Sequence, residues 1–230
     1  MPANAIRDEL ERAFERLRGM DASLDEQLAA FSDASRQRLP ALADAIDRLV
    51  ARLHESGVGA SAPQCGEPMP PFHLSDETGR IVSLEQLLER GPVAITFHRG
   101  HWCPYCRISL QALSRVQAKI GDGQIVAIMP DRQRYAADLK SAGRIPFPIL
   151  TDIDNGYALS LNLVFWLGTE LRAMLAGQQD LAAFQGNDAW MLPVPATFVI
   201  GGDGIIKARF VDPDYRKRMA IDDLLAALRS

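Results

Sequence analysis

The stretch that most restricts the fold of this chain runs from Val93 to Leu113, where an apolar run passes into a helix through Cys-Pro-Tyr-Cys. Val93 to Phe97, bounded by Gly91-Pro92 and Gly100, has the length and composition of a buried strand. Pro104 suits the first turn of a helix, where its missing N–H is not needed, and Ile108, Leu110 and Leu113 follow without a breaker. Cys103 is therefore expected at a strand-to-helix junction, facing the unpaired N–H groups and positive end of the helix. Such a position stabilises a thiolate. Arg99 and Arg107 add positive charge nearby, so Cys103 is the expected nucleophile. Cys106 lies one helical turn on, on the same face and deeper, and can close a disulfide, attack a mixed disulfide or resolve a sulfenic acid.

Two other uses of a Cys-x-x-Cys compete with redox chemistry. A structural zinc site needs four ligands, and the remaining candidates are Cys65 and 4 scattered histidines with no second paired spacing. Two inert core cysteines would not be separated by Pro and Tyr at a junction of this kind. Redox chemistry is the expectation. No cofactor is implied.

The 230 residues, 47% of them hydrophobic, are enough for one substantial domain with an extension. A net charge of −4 and the lack of a Lys/Arg run argue against nucleic acid as a partner. The charged start of the chain and the absence of a long apolar run argue against a signal peptide and a membrane span. The expected setting is cytoplasmic, where a disulfide is transient and catalytic.

Ile6, Leu10, Phe14 and Leu17 predict one helix up to Gly19, and Ser23 with Glu26 predicts a capped second helix carrying Leu24, Leu28 and Phe31. Pro40 opens a third, with a narrow seam at Leu42, Ile46, Leu49 and Leu53. That seam packs either on its own chain or on a second copy, as in a homodimer. Residues 1–56 thus read as an N-terminal helical extension, and the Gly- and Pro-rich residues 57–71 as a linker, with Cys65 mobile and accessible in it. Residues 72–230 read as an α/β domain. A hairpin spans Phe72 to Val82, Ser83 caps a short helix, and strands follow at Gln124 to Met129 and Pro148 to Leu150. Asp131 is expected to cap a helix running through Leu139. Pro195 leads into a last apolar strand, a Gly-rich turn into its hairpin partner, and Ile221, Leu224, Leu225 and Leu228 line a final helix. Strands alternating with helices predict a parallel or mixed sheet covered on both faces.

Several motifs in this order resemble the thioredoxin superfamily, in its peroxiredoxin-like (alkyl hydroperoxide reductase / thiol-specific antioxidant) branch. They are Gly-Glu-Pro-Met-Pro-Pro-Phe from Gly66, Phe-His-Arg-Gly-His-Trp-Cys-Pro-Tyr-Cys-Arg from Phe97, Ile-Pro-Phe-Pro-Ile-Leu-Thr-Asp from Ile145, and Pro-Ala-Thr-Phe-Val-Ile-Gly-Gly-Asp-Gly from Pro195. The resemblance implies a thioredoxin-like fold, a central mixed sheet flanked by helices, behind the N-terminal helical extension. Through the Cys103-Pro104 dipeptide it implies a peroxidatic Cys103, with Pro195 cis and opposite the sulfur, whereas Trp102-Cys103-x-x-Cys106 with a proline before a strand resembles what thioredoxins and glutaredoxins use for disulfide exchange. It further implies a Cys103–Cys106 disulfide reduced by a thioredoxin-like or other thiol donor. The chain departs from the family where peroxiredoxins carry Thr or Ser three residues before the peroxidatic Cys, since Gly100 stands there, and where they carry a late-strand Arg, since Pro195 stands there. Arg99 is the candidate replacement, and His98 and His101 are candidate proton carriers or rim residues. Three functions follow: a peroxidase acting on hydrogen peroxide or alkyl hydroperoxides, a protein disulfide oxidoreductase using the same pair, and a redox-controlled module whose N-terminal helices bind a partner.

Overall fold

The computed structural model describes residues 5–17 and 19–229; the outer ends of the first and last expected segments lie outside the described residues. Three helices come first: α1 (Ala5–Leu17), α2 (Leu24–Arg38) and α3 (Pro40–Glu55). Ser23 and Glu26 form the expected capping box on α2, each satisfying a backbone N–H of the other. The hairpin β1 (His73–Asp76) and β2 (Ile81–Ser83) follows, and Ser83 caps α4 (Leu84–Leu88) in the same way. Then come β3 (Val93–Phe97), α5 (Pro104–Val116), β4 (Gln124–Met129), α6 (Gln133–Gly143) and β5 (Ile149–Thr151). The stretch that carries no clear pattern in sequence holds α7 (Gly156–Ser160), β6 (Val164–Trp166), α8 (Thr169–Leu175) and α9 (Leu181–Gln185). The chain closes with β7 (Met191–Pro193), β8 (Ala196–Ile200), β9 (Ile206–Val211) and α10 (Ile221–Leu228).

The main sheet has the order β2-β1-β5-β4-β3-β8-β9. β3 and β5 run parallel to β4, whereas β8 is antiparallel to β3 and to β9. It is the mixed sheet expected. Every residue of β3 is buried, and its period of two divides them between the faces. Ile95 and Phe97 join one core with Val126, Ile128 and Phe198, while Ala94 joins the other with Ile125, Ala127, Leu113 and Leu225. Because β3 lies inside the sheet and ends at the cysteine loop, the position of that loop is held from both sides.

The N-terminal helices are spent on their own chain. Leu42, Leu49 and Leu53 of the α3 seam are buried in the main core, and α3 lies on α8, so the seam does not await a second copy. α1 and α2 pack on α5: Phe14 and Phe31 share a cluster with Cys103, Tyr105, Cys106 and Ile108. Residues 57–71 have no long regular element, but they are tied down. Gly66 N–H donates to Ile206 O, Ile206 N–H donates to Glu67 O, and Met69 N–H donates to Gly204 O, so this stretch runs along β9. Cys65 is exposed, as expected, but it stands on this pinned segment and not on a mobile one.

Candidate active site

Cys103 occupies the N-cap of α5 in extended conformation, and Pro104 fills the first helical position. Its sulfur is fully buried, as is that of Cys106, and both cysteines are free thiols. The Arg99 side chain donates from Nη2 to Cys103 Sγ at 3.0 Å, and the Arg99 backbone N–H donates to Cys106 Sγ at 3.4 Å. One residue therefore addresses both sulfurs. Burial alone would push the Cys103 thiol up, but the hydrogen bond with Cys106 and the Arg99 guanidinium, with Arg218 behind, hold it well below the usual thiol range. Burial and the adjacent Cys103 sulfur push the Cys106 thiol up. The two shifts run in opposite directions, favouring the charged form at Cys103 and the neutral form at Cys106.

Arg99 is itself only 5% exposed. Its guanidinium lies 3.4 Å from the ring centre of Tyr215 and 5.3 Å from that of Trp102, a stack that orients the fork toward sulfur. Burial works against its charge, but the Cys103 sulfur more than compensates, and Arg99 stays protonated. Arg107, expected to add to this field, points elsewhere. Its nitrogens donate to both Glu11 carboxylate oxygens at 2.6 and 3.0 Å and its guanidinium covers the Phe14 ring, so its charge ties α1 to α5.

The second cation at the sulfurs is Arg218, from the segment between β9 and α10. Its Nη2 lies 3.6 Å from Cys106 Sγ, and Nη1 donates to the carbonyls of Tyr215 and Lys217. Neither Tyr215 nor Arg218 is legible as a site residue in sequence. They stand in Asp-Tyr-Arg-Lys-Arg, which reads as a solvated charged turn; the one hint is an aromatic residue embedded in a basic run.

Gly100 explains the missing Thr. Its φ is +141°, and a Cβ there would lie 2.6 Å from Trp102 Nε1 and 2.8 Å from Asp131 Oδ1, so a β-branched residue does not fit. Asp131 does not cap α6, whose N-cap is Arg132 without a side-chain bond. Fully buried, the Asp131 carboxylate is drawn instead to the cysteine loop, accepting from the His101 backbone N–H at 2.6 Å and pairing with Nδ1 at 2.9 Å. The His101 ring also stacks on Tyr135 and meets the edge of Phe184. His98 is buried against Thr96 Oγ1, and burial together with the Arg218 charge lowers its pKa well below the usual histidine range. His98 therefore stays neutral.

Pro195 is not cis: no cis peptide bond occurs among the described residues. The chain passes extended from β7 into β8, and the first ladder pair is Ala196 with Val211, so the missing N–H of Pro195 costs no ladder bond and a trans link suffices. The β3–β8 ladder ends with Thr96 opposite Thr197, two residues from Pro195, at the end of the sheet that bears the cysteine loop. Among the described residues, no group of three or more His, Cys, Asp or Glu is placed to hold a metal.

A narrow apolar cleft, with a cavity volume of about 60 Å³, adjoins this shell. Arg99, Trp102, Pro104 and Tyr215 line it together with Leu42 and Ile46 of α3 and Leu171 of α8.

Residues 65–209 match the AhpC/TSA family. The chain belongs to the AhpC/TSA family. Among curated relatives, the thiol:disulfide interchange protein DsbE of Escherichia coli (strain K12) is 29% identical over 146 residues, 63% of this chain and 63% of that protein. The chain thus spans under two thirds of the length of the curated relatives it matches. Among solved structures, peroxidoxin BcpB from Mycobacterium tuberculosis shares the fold with a TM-score of 0.55 at 22% identity, covering 72% of this chain and 96% of that one. The reduced 2-Cys peroxiredoxin of Plasmodium vivax does so with a TM-score of 0.56 at 16% identity, covering 73% and 95%. The AhpC/TSA match ends before Tyr215 and Arg218 and starts after α1 to α3. No helix among the described residues is long and apolar enough to cross a membrane.

Proposed function

We propose that the chain is a thiol-dependent peroxidase in which Cys103 reduces a hydroperoxide. The observation that carries this reading is the Arg99 guanidinium 3.0 Å from the buried Cys103 sulfur at a helix N-terminus. The Cys103 thiolate attacks the distal oxygen of the hydroperoxide, the O–O bond breaks, and the alcohol or water leaves with a proton, leaving a sulfenic acid. Arg99 and the helix N-terminus are the donors aimed at the charge that develops on oxygen. Arg99 thus takes the part of the absent late-strand arginine. Cys106 then closes the disulfide with Cys103, and a thioredoxin-like thiol donor reduces it with two electrons. The apolar cleft favours organic hydroperoxides alongside hydrogen peroxide. The chemistry suits a reducing compartment such as the cytoplasm.

Disulfide exchange by the same pair is the second reading, favoured by the likeness to a thiol:disulfide interchange protein. Single-turnover kinetics of the reduced protein with hydrogen peroxide, cumene hydroperoxide and a small mixed disulfide separates the two. The peroxidase reading expects both peroxides to outpace a free thiolate by orders of magnitude, Cys103→Ser to abolish oxidation, and Cys106→Ser to leave a trappable sulfenic acid. Peroxide rates no better than those of a free thiolate, with ready exchange, would leave the oxidoreductase.

A further inference from the structure

We infer that Arg218 is a catalytic residue of the second thiol step: its guanidinium stabilises Cys106 as the thiolate that attacks the sulfur of oxidised Cys103. The inference rests on Cys103 and Cys106 as the working pair.

Arg218 is 7% exposed, and its contacts are Cys106 Sγ and two backbone carbonyls, with Nε unpartnered. Among the described residues no carboxylate forms an ion pair with it. A cation buried in this way is costly unless an anion accompanies it, and the groups in reach that can become anionic are sulfurs. The two arginines divide the sulfurs. Arg99 gives its side-chain hydrogen bond to Cys103 and its backbone N–H to Cys106, whereas Arg218 sets its guanidinium on Cys106, and the charge of each also reaches the other sulfur.

The division matters in time. While Cys103 is a thiolate, its charge and burial keep Cys106 protonated. Once Cys103 has become a neutral sulfenic acid or mixed disulfide, that repulsion is gone, and Arg99 and Arg218 are left to favour a thiolate at Cys106. Cys106 then loses its proton and attacks. The S–S bond forms as the S–O bond breaks and hydroxide leaves as water, or as the mixed disulfide breaks and the other thiolate leaves. Arg218 lies beyond residues 65–209, so the family match does not include it.

The test follows the second step without peroxide. The reduced full chain, with the exposed Cys65 replaced by Ser in wild type and variants alike, is treated with dithiobis(nitrobenzoate): Cys103 attack releases the first thionitrobenzoate, and Cys106 closure releases the second. The charged groups facing Cys106 are Cys103 at the α5 cap, Arg99 from the loop after β3 and Arg218; His98 is neutral and Tyr215 is held protonated by burial. An opposite charge at this range shifts a pKa by about 1–3 units. The thiolate fraction falls about tenfold per unit, and a Brønsted coefficient of about 0.4–0.5 returns part of that as nucleophilicity. Arg218→Met should therefore slow the second release about three- to sixtyfold near neutral pH, change the first release less, and approach the wild-type rate at high pH. Arg218→Lys should recover part of the loss. A second release at the wild-type rate in Arg218→Met, or one slowed equally at every pH and unrescued by Lys, overturns the assignment. A parallel reaction with hydrogen peroxide tests the peroxidase reading alone. If it yields neither sulfenic acid nor disulfide while Arg218 still governs closure, that reading fails and the role of Arg218 stands.

Discussion

The sheet and α5 place Cys103, Cys106 and Arg99, whereas the segments outside the AhpC/TSA match close over them. Within the match, β3 and the cap of α5 set the sulfurs against Arg99. From outside it come Phe14 and Phe31 against the cysteine helix, Tyr215 over the Arg99 guanidinium, Arg218 on Cys106 and the α3 wall of the cleft. The difference shows how a family scaffold can keep its nucleophile while flanking segments decide its dielectric, its counter-charges and what approaches it. A thiolate is worth little to a site that water can screen.

The largest effect should come from breaking the outer layer. Phe31 is fully buried between α2 and Tyr105, so Phe31→Ala should cost about 3–5 kcal/mol of unfolding free energy in denaturant melts. If the helices and the sheet form one cooperative unit, that loss appears in a single transition. Two transitions, with the sheet unchanged, would make α1 to α3 a separable extension.

Next is the inner layer. Arg99→Met should lower the single-turnover peroxide rate about 10²- to 10³-fold, the usual cost of one preorganised donor at developing charge. It should also move the pH dependence upward. The folded pKa of Cys103 lies below that of an unfolded thiol, about 8.5, so its thiolate stabilises the reduced fold fully above that value. The contribution is lost as pH falls through the folded pKa. Urea midpoints of wild type measured from pH 9 downward should therefore show a stability component that Arg99→Met abolishes.

Tyr215→Leu sharpens the comparison from the other side, removing a flanking group that only orients Arg99. A desolvated cation–π stack is worth about 2 kcal/mol, and with part of it spent on orientation the peroxide rate should fall about tenfold. A change under twofold would mean that Arg99 is held by Cys103 alone. The smallest effect belongs to Glu11→Gln, since the Arg107 pair is half exposed and such bridges contribute about 0.2–1 kcal/mol. Its peroxide rate should match wild type, as Arg107 does not address either sulfur.

Much of the molecule is legible in its sequence for local reasons. The continuous apolar run at Val93 to Phe97, the two capping boxes and Pro104 after Cys103 are set by neighbours a few residues apart, and each appears where expected. The family motifs likewise indicate the fold, and Arg99 is a candidate from its nearness to Cys103 in sequence. What fails in sequence fails over distance. Asp131 reads as a helix cap because Asp before a helical pattern usually is one, but a buried carboxylate takes the strongest donors in reach, here those of His101. Arg107 reads as a partner of the thiolate from its spacing, yet Glu11 in α1 claims it.

By itself the sequence determined which sulfur stands at the helix start, since strand length, Pro104 and the helical pattern act within one short segment. Only the tertiary structure decided which cations meet the two sulfurs. Charge interactions reach across space and are strong where water is excluded, so residues such as Tyr215 and Arg218, more than a hundred positions from the cysteines, acquire their roles when the chain closes.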